Sequence, residues 1–338
     1  MGRSMKRKII PAIIGLLVIV TVTIGVWICY NRMINTIDSE EVNEANTYSY
    51  HYVLIVENTE SNFWDSVYEI AKAEAAKNDA YLEFVGGNPI SNYTISEYME
   101  ISIAAQVDGI IVESNGQKTV EELIEKAGEK QIPVVTVMKD SSNNESSRKS
   151  FVGINSYEFG QAYGEAICQF ASEDTKKVLV LLKGGTEDAG TYAYMKTALK
   201  ELLPGRTDLE VGAYEVDSKT SFDAEEIIRD IFLDVDLAPD ILVCLDEVYT
   251  ECAYYAAIDY NKVGVVDIIG FYPSETIMAA IEKGIVLAAF KLDTEKIGKD
   301  IVGALAEFKQ MGYVSDYYSV DIEAVTRENV HEFRGETP

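Results

Sequence analysis

The sequence predicts an α/β protein: a two-lobed body of parallel sheets flanked by helices, behind an N-terminal transmembrane helix. Three observations carry that prediction. Residues Ile9 to Cys29 form an apolar run unbroken by any charge. From His51 onward, short apolar runs alternate with segments of helical period. The remaining body, about 290 residues, is long for one such core, so two lobes are expected.

The apolar run comes first. Its 21 residues would span about 30 Å as a helix, the thickness of a bilayer's hydrocarbon core. Arg3, Lys6, Arg7 and Lys8 precede it, which favours leaving that end in the cytoplasm and the body outside. Trp27 and Tyr30 suit the outer interface. A cleaved signal peptide is the alternative. Its apolar region would be shorter, about 7–15 residues, and followed by small residues, whereas this run ends in Val26-Trp27-Ile28-Cys29-Tyr30. Ile28 before Cys29 also departs from a lipoprotein signal. The expected layout is a cytoplasmic tail at 1–8, an anchor at 9–30 and a polar tether at 31–50, with localisation at the cell membrane as a single-pass protein.

Charge and cysteine usage exclude several partners. The chain has 29 Lys+Arg against 56 Asp+Glu, and five of the basic residues (Arg3, Lys6, Arg7, Lys8, Arg32) flank the anchor. Without them the body keeps 24 basic and 56 acidic residues, a net charge of −32. Such a surface repels phosphate backbones, so nucleic acid is not an expected partner. Cys168, Cys244 and Cys252 fall in apolar or helical patterns and read as buried free thiols, with a Cys168–Cys252 or Cys244–Cys252 bridge left open. There is no CxxC, and His51 and His331 are the only histidines, so no four-ligand zinc pattern can be assembled.

Strands are expected at Val53–Val56, Gly109–Val112, Val134–Val137, Val178–Leu182, Ile241–Leu245, Val265–Ile269 and Ile285–Phe290, continuous apolar runs suited to a sheet buried on both faces. Helices are expected where apolar residues recur at three- to four-residue spacing. Those stripes are Phe63/Val67/Ile70/Ala71, Val120/Leu123/Ile124/Ala127 and Phe159/Tyr163/Ala166/Ile167/Phe170. Two more follow, Ile228/Ile231/Phe232/Val235 and Ile297/Ile301/Leu305/Phe308. The alternation implies right-handed βαβ crossovers with helices on both faces. Asp140–Lys149 reads as a loop, and no low-complexity tract or short internal repeat is visible.

Catalytic chemistry is sparse. Gly86-Gly87 and Gly184-Gly185 follow strands without completing a GxGxxG or P-loop. No GxSxG occurs, and two distant histidines do not support a serine or cysteine triad. Glu187-Asp188 and Asp246-Glu247 follow strands, but carboxylates there serve helix N-termini without any catalytic use. No catalytic residue, metal or cofactor is expected. What remains is a crevice at the carboxyl ends of the strands, lined by Asn62 to Trp64, Met138 and Lys139, Asn155, Asp188 to Tyr192, Asp246, Tyr272, and Lys291 to Asp293. A hinge between lobes would let ligand binding drive closure.

Several segments, in order, resemble the type I periplasmic (substrate-binding) proteins of the ribose/galactose-like branch. SNFW (61–64), QVDGIIVES (106–114), QIPVVTVMKD (131–140) and FVGINSYEFGQAYGEAI (151–167) carry the first half. APDILVCLDEVYTECAYYA (238–256), DIIGFYPSETIMAAIEKGIVLAAFKLDTEKIG (267–298) and VDIEAVTRENV (320–330) carry the second. The resemblance implies Rossmann-like lobes joined by a three-segment hinge near 153–155, 290–294 and 318–322. Lobe 1 would be 51–154 plus 293–320, and lobe 2 155–292 plus 321–338.

The resemblance also implies a ligand site, with Asn62, Phe63, Trp64, Lys139, Asn155, Asp188, Tyr192, Asp246, Tyr272 and Asp293 as its expected members. For Phe63 and Trp64, core packing and ligand stacking are both open. For Asp246 the choice is between cleft lining and helix capping; Tyr192 and Tyr272 read equally as surface tyrosines, and Lys139 as a solvated one. The family's polar grip is altered here: Met138-Lys139 stands for an Asp-Arg pair, Tyr192-Ala193-Tyr194 for a cleft arginine, Leu245 for an Asn, Tyr272 for an Asp and Leu292 for a Gln. An unpaired buried hydroxyl would lose about 1–3 kcal/mol, so a more aromatic ligand, or a sugar held by another set, is implied. The expected function is a membrane-anchored extracytoplasmic protein that binds a small ligand, a sugar or related solute, by hinge closure. It would serve as sensory subunit of a membrane histidine kinase or as binding component of an ABC permease. The alternative is a non-catalytic interaction protein with a degenerate cleft. An enzyme would require turnover that disappears when Asp188 or Asp246 becomes Asn.

Overall fold

A computed structural model describes residues 47–87, 93–140, 146–183, 187–216 and 221–334. The expected anchor and the tether up to residue 46 lie outside the described residues. Among the described residues, no helix is long and apolar enough to cross a membrane.

Apolar runs flanked by helical stripes build two sheets. The first holds β1 (Tyr50–Asn58), β2 (Ala80–Gly87), β3 (Gly109–Val112), β4 (Val134–Val137), β5 (Ser150–Gly153) and β11 (Tyr317–Ser319). Its order is β11-β5-β4-β3-β1-β2, and every pair is parallel. The second holds β6 (Lys177–Lys183), β7 (Glu210–Val216), β8 (Ile241–Cys244), β9 (Asp267–Phe271), β10 (Val286–Leu292) and β12 (Ile322–Thr326). Its order is β12-β10-β9-β8-β6-β7, parallel except for the β10–β12 pair. Both sheets therefore run second-first-third-fourth-fifth through their own first five strands. The two sheets thus repeat one topology. Every residue of β3, β4 and β8 is buried, as helices on both faces require.

The helices are α1 (Asn62–Lys77), α2 (Ile95–Ala105), α3 (Lys118–Glu129), α4 (Ser156–Phe170), α5 (Glu187–Leu202), α6 (Ser221–Leu233), α7 (Glu247–Asp259), α8 (Glu275–Glu282) and α9 (Thr294–Met311). Side chains of Ser61, Thr94, Asn155, Asp246, Ser274 and Asp293 cap six of them, each satisfying an amide that a helix start leaves free. Helix α9 returns to the first lobe and packs on α1. At Gly298 an added Cβ would lie 2.7 Å from the Ile70 Cβ, so only glycine lets these two helices approach.

The chain passes between the sheets three times: from β5 into α4 and β6, from β10 into α9 and β11, and from β11 to β12. Buried residues of both lobes merge into one apolar cluster, which runs from Tyr52 and Trp64 through Tyr163 to Phe271 and Phe290.

Two expected core residues are displaced. Val235 and Val265 are 93% and 63% exposed, because α6 ends at Leu233 and β9 begins only at Asp267. Strand β7 lies at an edge with a mixed burial pattern, which is why no continuous apolar run marks it. Cys168, Cys244 and Cys252 are unbridged, the last two buried.

Candidate functional site

In a sheet of this order, the crossovers leave the first and third strands toward opposite faces, and a crevice opens at their carboxyl ends. In lobe 1 that place is the end of β1 and β3, where Glu57 and Glu113 stand. In lobe 2 it is the end of β6 and β8, where Lys183 and Asp246 stand. The two places face each other. Lys183 Nζ lies 2.8 Å from Asp246 Oδ2 and 2.9 Å from Glu57 Oε2 across the lobes. The Glu57 amide donates to Glu113 Oε2 at 2.9 Å. Lys139, after β4, adds a second positive charge that acts on Glu57, Glu113 and Asp246.

These neighbours set the ionisation. The Lys183 ammonium holds the Glu57 carboxyl below the usual carboxylate range. Burial opposes ionisation of Asp246, yet Lys183 beside it still holds its pKa below the usual value. Burial opposes charge on Lys183 too, and the carboxylates of Asp246, Glu57 and Glu113 overcome it, raising its pKa well above the ordinary value. Glu113 goes the other way, its pKa raised by burial.

A second contact sits beside the first. Ser61-Asn62-Phe63 begins α1, and the four first amides of any helix need acceptors. The acceptor here is a carboxylate of the opposite lobe. Glu247 Oε2 accepts from Ser61 Oγ at 2.6 Å and from the Phe63 amide at 3.1 Å, and Oε1 accepts from Asn62 Nδ2 at 2.7 Å. Ser61 Oγ in turn accepts from the Trp64 amide at 3.4 Å. Glu247 is only 5% exposed, and burial raises its pKa against those three hydrogen bonds.

Aromatic rings fill the rest. Phe63 lies edge-on to Phe271 and Tyr272, with centroids 5.6 and 5.5 Å apart, and Trp64 lies edge-on to Phe63. Tyr272 Oη is 2.9 Å from Ser66 Oγ, another bond between lobes. Both Tyr272 and Met138, which follows the fourth strand of lobe 1, have left-handed backbones, φ +55° and +61°. Non-glycine residues avoid that region, and such outliers cluster at functional positions.

The expected site residues divide accordingly. Asn62, Phe63, Trp64, Lys139, Asp246 and Tyr272 come together at this seam. Asp246 caps α7 and pairs with Lys183 at once. Asn155 caps α4 at a crossing between lobes, and Asp293 caps α9 at another. Tyr192 is directed elsewhere: its hydroxyl donates to the Val211 carbonyl and Lys196 lies over its ring, so its contacts fall within lobe 2. The Asp188 side chain lies outside the described residues. The seam residues touch one another directly across the lobes.

The expected site did not include Glu57, Ser61, Ser66, Glu113, Lys183 or Glu247, although Ser61 lies in the SNFW segment and Glu247 in the carboxylate pair after β8. A signal existed for two of them. A lysine closing the apolar run VLVLLK has to emerge at the carboxyl edge. Glu247 follows a capping Asp246, one position too late to cap its own helix.

A family model described as a periplasmic binding protein domain matches residues 52–311. No curated protein matches the chain in sequence. Among solved structures, the glucose-galactose binding protein GanP from Geobacillus stearothermophilus is 21% identical with a TM-score of 0.71, covering 83% of this chain and 98% of its own. An ABC transporter solute-binding protein from Agrobacterium vitis with bound D-fucose is 19% identical with a TM-score of 0.73, covering 85% and 98%. XylFII in the XylFII–LytSN complex is 24% identical with a TM-score of 0.68, covering 82% and 98%. These likenesses are of fold.

Proposed function

Since the chain belongs to the periplasmic binding protein domain family, whose members bind and do not catalyse, we propose that it is an extracytoplasmic solute-binding protein. On this reading it is tethered by residues 9–30, takes a sugar or related small solute, and works by hinge closure. One observation carries the reading: two sheets joined by three crossings bring polar and aromatic side chains from both carboxyl edges to one seam. The charge-free run Ile9–Cys29 behind four basic residues supports the tether. A fold relative solved as a two-protein complex supports a protein partner, a membrane histidine kinase ahead of an ABC permease.

Thermal denaturation of the full chain with D-fucose, D-arabinose, myo-inositol, glucose and galactose tests the reading. A solute at 100 times its Kd stabilises by about 2.7 kcal/mol, about 5 °C or more for a body of this size. The second reading, an interaction protein whose cleft takes no solute, is favoured by the direct contact of Phe63 and Glu247 with the opposite lobe. It expects no shift with any of the five.

A further inference from the structure

We infer that Glu247 is a tethered stand-in for solute: its carboxylate occupies lobe 1's donor cluster and holds the cleft shut until a solute replaces it. The inference rests on the hinge-closure reading and names the residue that sets its threshold. Glu247 is the first residue of α7. A carboxylate there would ordinarily turn to solvent and its own helix dipole. Instead it crosses to the start of α1, where Ser61 Oγ, Asn62 Nδ2 and the Phe63 amide all donate to it within 3.1 Å. One negative charge thus lies between the positive ends of two helices that belong to different lobes.

This arrangement dictates what can enter. When the lobes part, α1 is left with three donors and lobe 2 with a bare carboxylate. A solute in the seam has to offer acceptors to Ser61, Asn62 and Phe63 and donors to Glu247. Hydroxyl groups do both, so a polyhydroxylated solute fits and an apolar one leaves buried groups unpaired. The self-closed form also competes with solute, and apparent affinity falls by the fraction of molecules in the binding-competent state. Replacing Glu247 therefore opens the empty protein.

Hydrogen exchange of the full chain without solute tests this, using Glu247→Gln and Glu247→Ala. The glutamine keeps the side-chain volume but puts an N–H₂ group before three donors. Peptides covering 61–67 and 247–252 are expected to exchange slowly in the native chain and at least tenfold faster in both variants. The β8 peptide 241–244 reports the intact fold and is expected to stay unchanged. If the native chain already exchanges at the variants' rate in 61–67, or if Glu247→Gln leaves that rate unchanged, the inference is overturned. If Glu247→Ala also loosens β8, Glu247→Gln alone decides. The measurement needs no solute, so a negative sugar panel would sink the solute-binding reading and leave the clasp standing.

Discussion

Replacing Lys183 with Met would remove the cation that pairs with Asp246 of its own lobe and Glu57 of the other, and its cost can be worked from the geometry. Methionine keeps most of the stem's volume, so the loss is chiefly of charge. Two arms break: Lys183–Asp246 at 2.8 Å and Lys183–Glu57 at 2.9 Å. Breaking one side of a fully buried pair costs about 3–5 kcal/mol. Lys183 and Asp246 side chains are 25% and 19% exposed, so solvent takes part of that, leaving about 2–3 kcal/mol. Glu57 is 46% exposed, and its arm adds no more than about 0.5 kcal/mol. For a body of about 290 residues, the sum lowers the melting temperature by about 5 °C. The assay is thermal unfolding at pH 7 of native, Lys183→Met, Asp246→Asn and the double variant. The two single losses should fail to add, with a coupling of at least about 1 kcal/mol. Additive losses, or a Lys183→Met cost below about 0.5 kcal/mol, would show that the facing charges do not sense each other and refute the argument.

Three further outcomes follow from the same structure. Phe63→Ala empties a ring 3% exposed between Phe271 and Tyr272 and should cost about 3–4 kcal/mol in chemical denaturation. Gly298→Ala drives a methyl into Ile70 and the Val67 carbonyl, 2.7 and 2.9 Å away, and should cost about 1–3 kcal/mol by overpacking. Acid should weaken the seam in a definite window. Glu57 and Asp246 have depressed pKa values, so their contribution is present above about pH 4, the ordinary carboxylate value, and lost as pH falls through their lower folded values. Glu113 and Glu247 are raised and act with the opposite sign, their contribution complete below the ordinary value and lost as pH rises through the raised one. Melting temperatures from pH 2 to 7 should thus fall less steeply toward acid in Asp246→Asn than in the native chain.

Central strands were the legible part of the fold. Gly109–Val112 and Val134–Val137 begin and end in the structure where their apolar runs do, because burial on both faces keeps charges out; the one polar residue, Thr136, is buried with its hydroxyl donating to Asp140. Edge strands were not legible. Tyr317–Ser319 is half-exposed and three residues long, and its pairing with β5 is long-range, a contact no local pattern encodes. Helix α2 was not among the expected stripes, although Ile95, Met99 and Ile103 recur at four-residue spacing and are buried, and Thr94 and Glu97 form a capping box at its start. At the seam, aromatic residues following a strand were readable from Phe63-Trp64, since such rings need cover. Glu247 was not, because a carboxylate's value there depends on a partner helix 184 to 186 residues away.

The altered polar residues and the closed seam have one physical explanation. A binding cleft in which every donor waits for solute stays open when empty, since closing it would bury unpaired groups at about 1–3 kcal/mol each. Here the donors at the start of α1 meet Glu247, the ammonium of Lys183 meets Glu57 and Asp246, and the hydroxyl of Tyr272 meets Ser66. Each pair spans the lobes or neutralises a charge that faces the other lobe. Closure of the empty body therefore buries no unmatched group at these positions, and Phe63 gains ring contacts besides. On the proposed reading, a solute can replace these pairs in the seam only by giving back more than they supply. The threshold for response is consequently written in the protein's own side chains, and single substitutions at Glu247, Lys183 or Tyr272 should move it in one direction, toward opening.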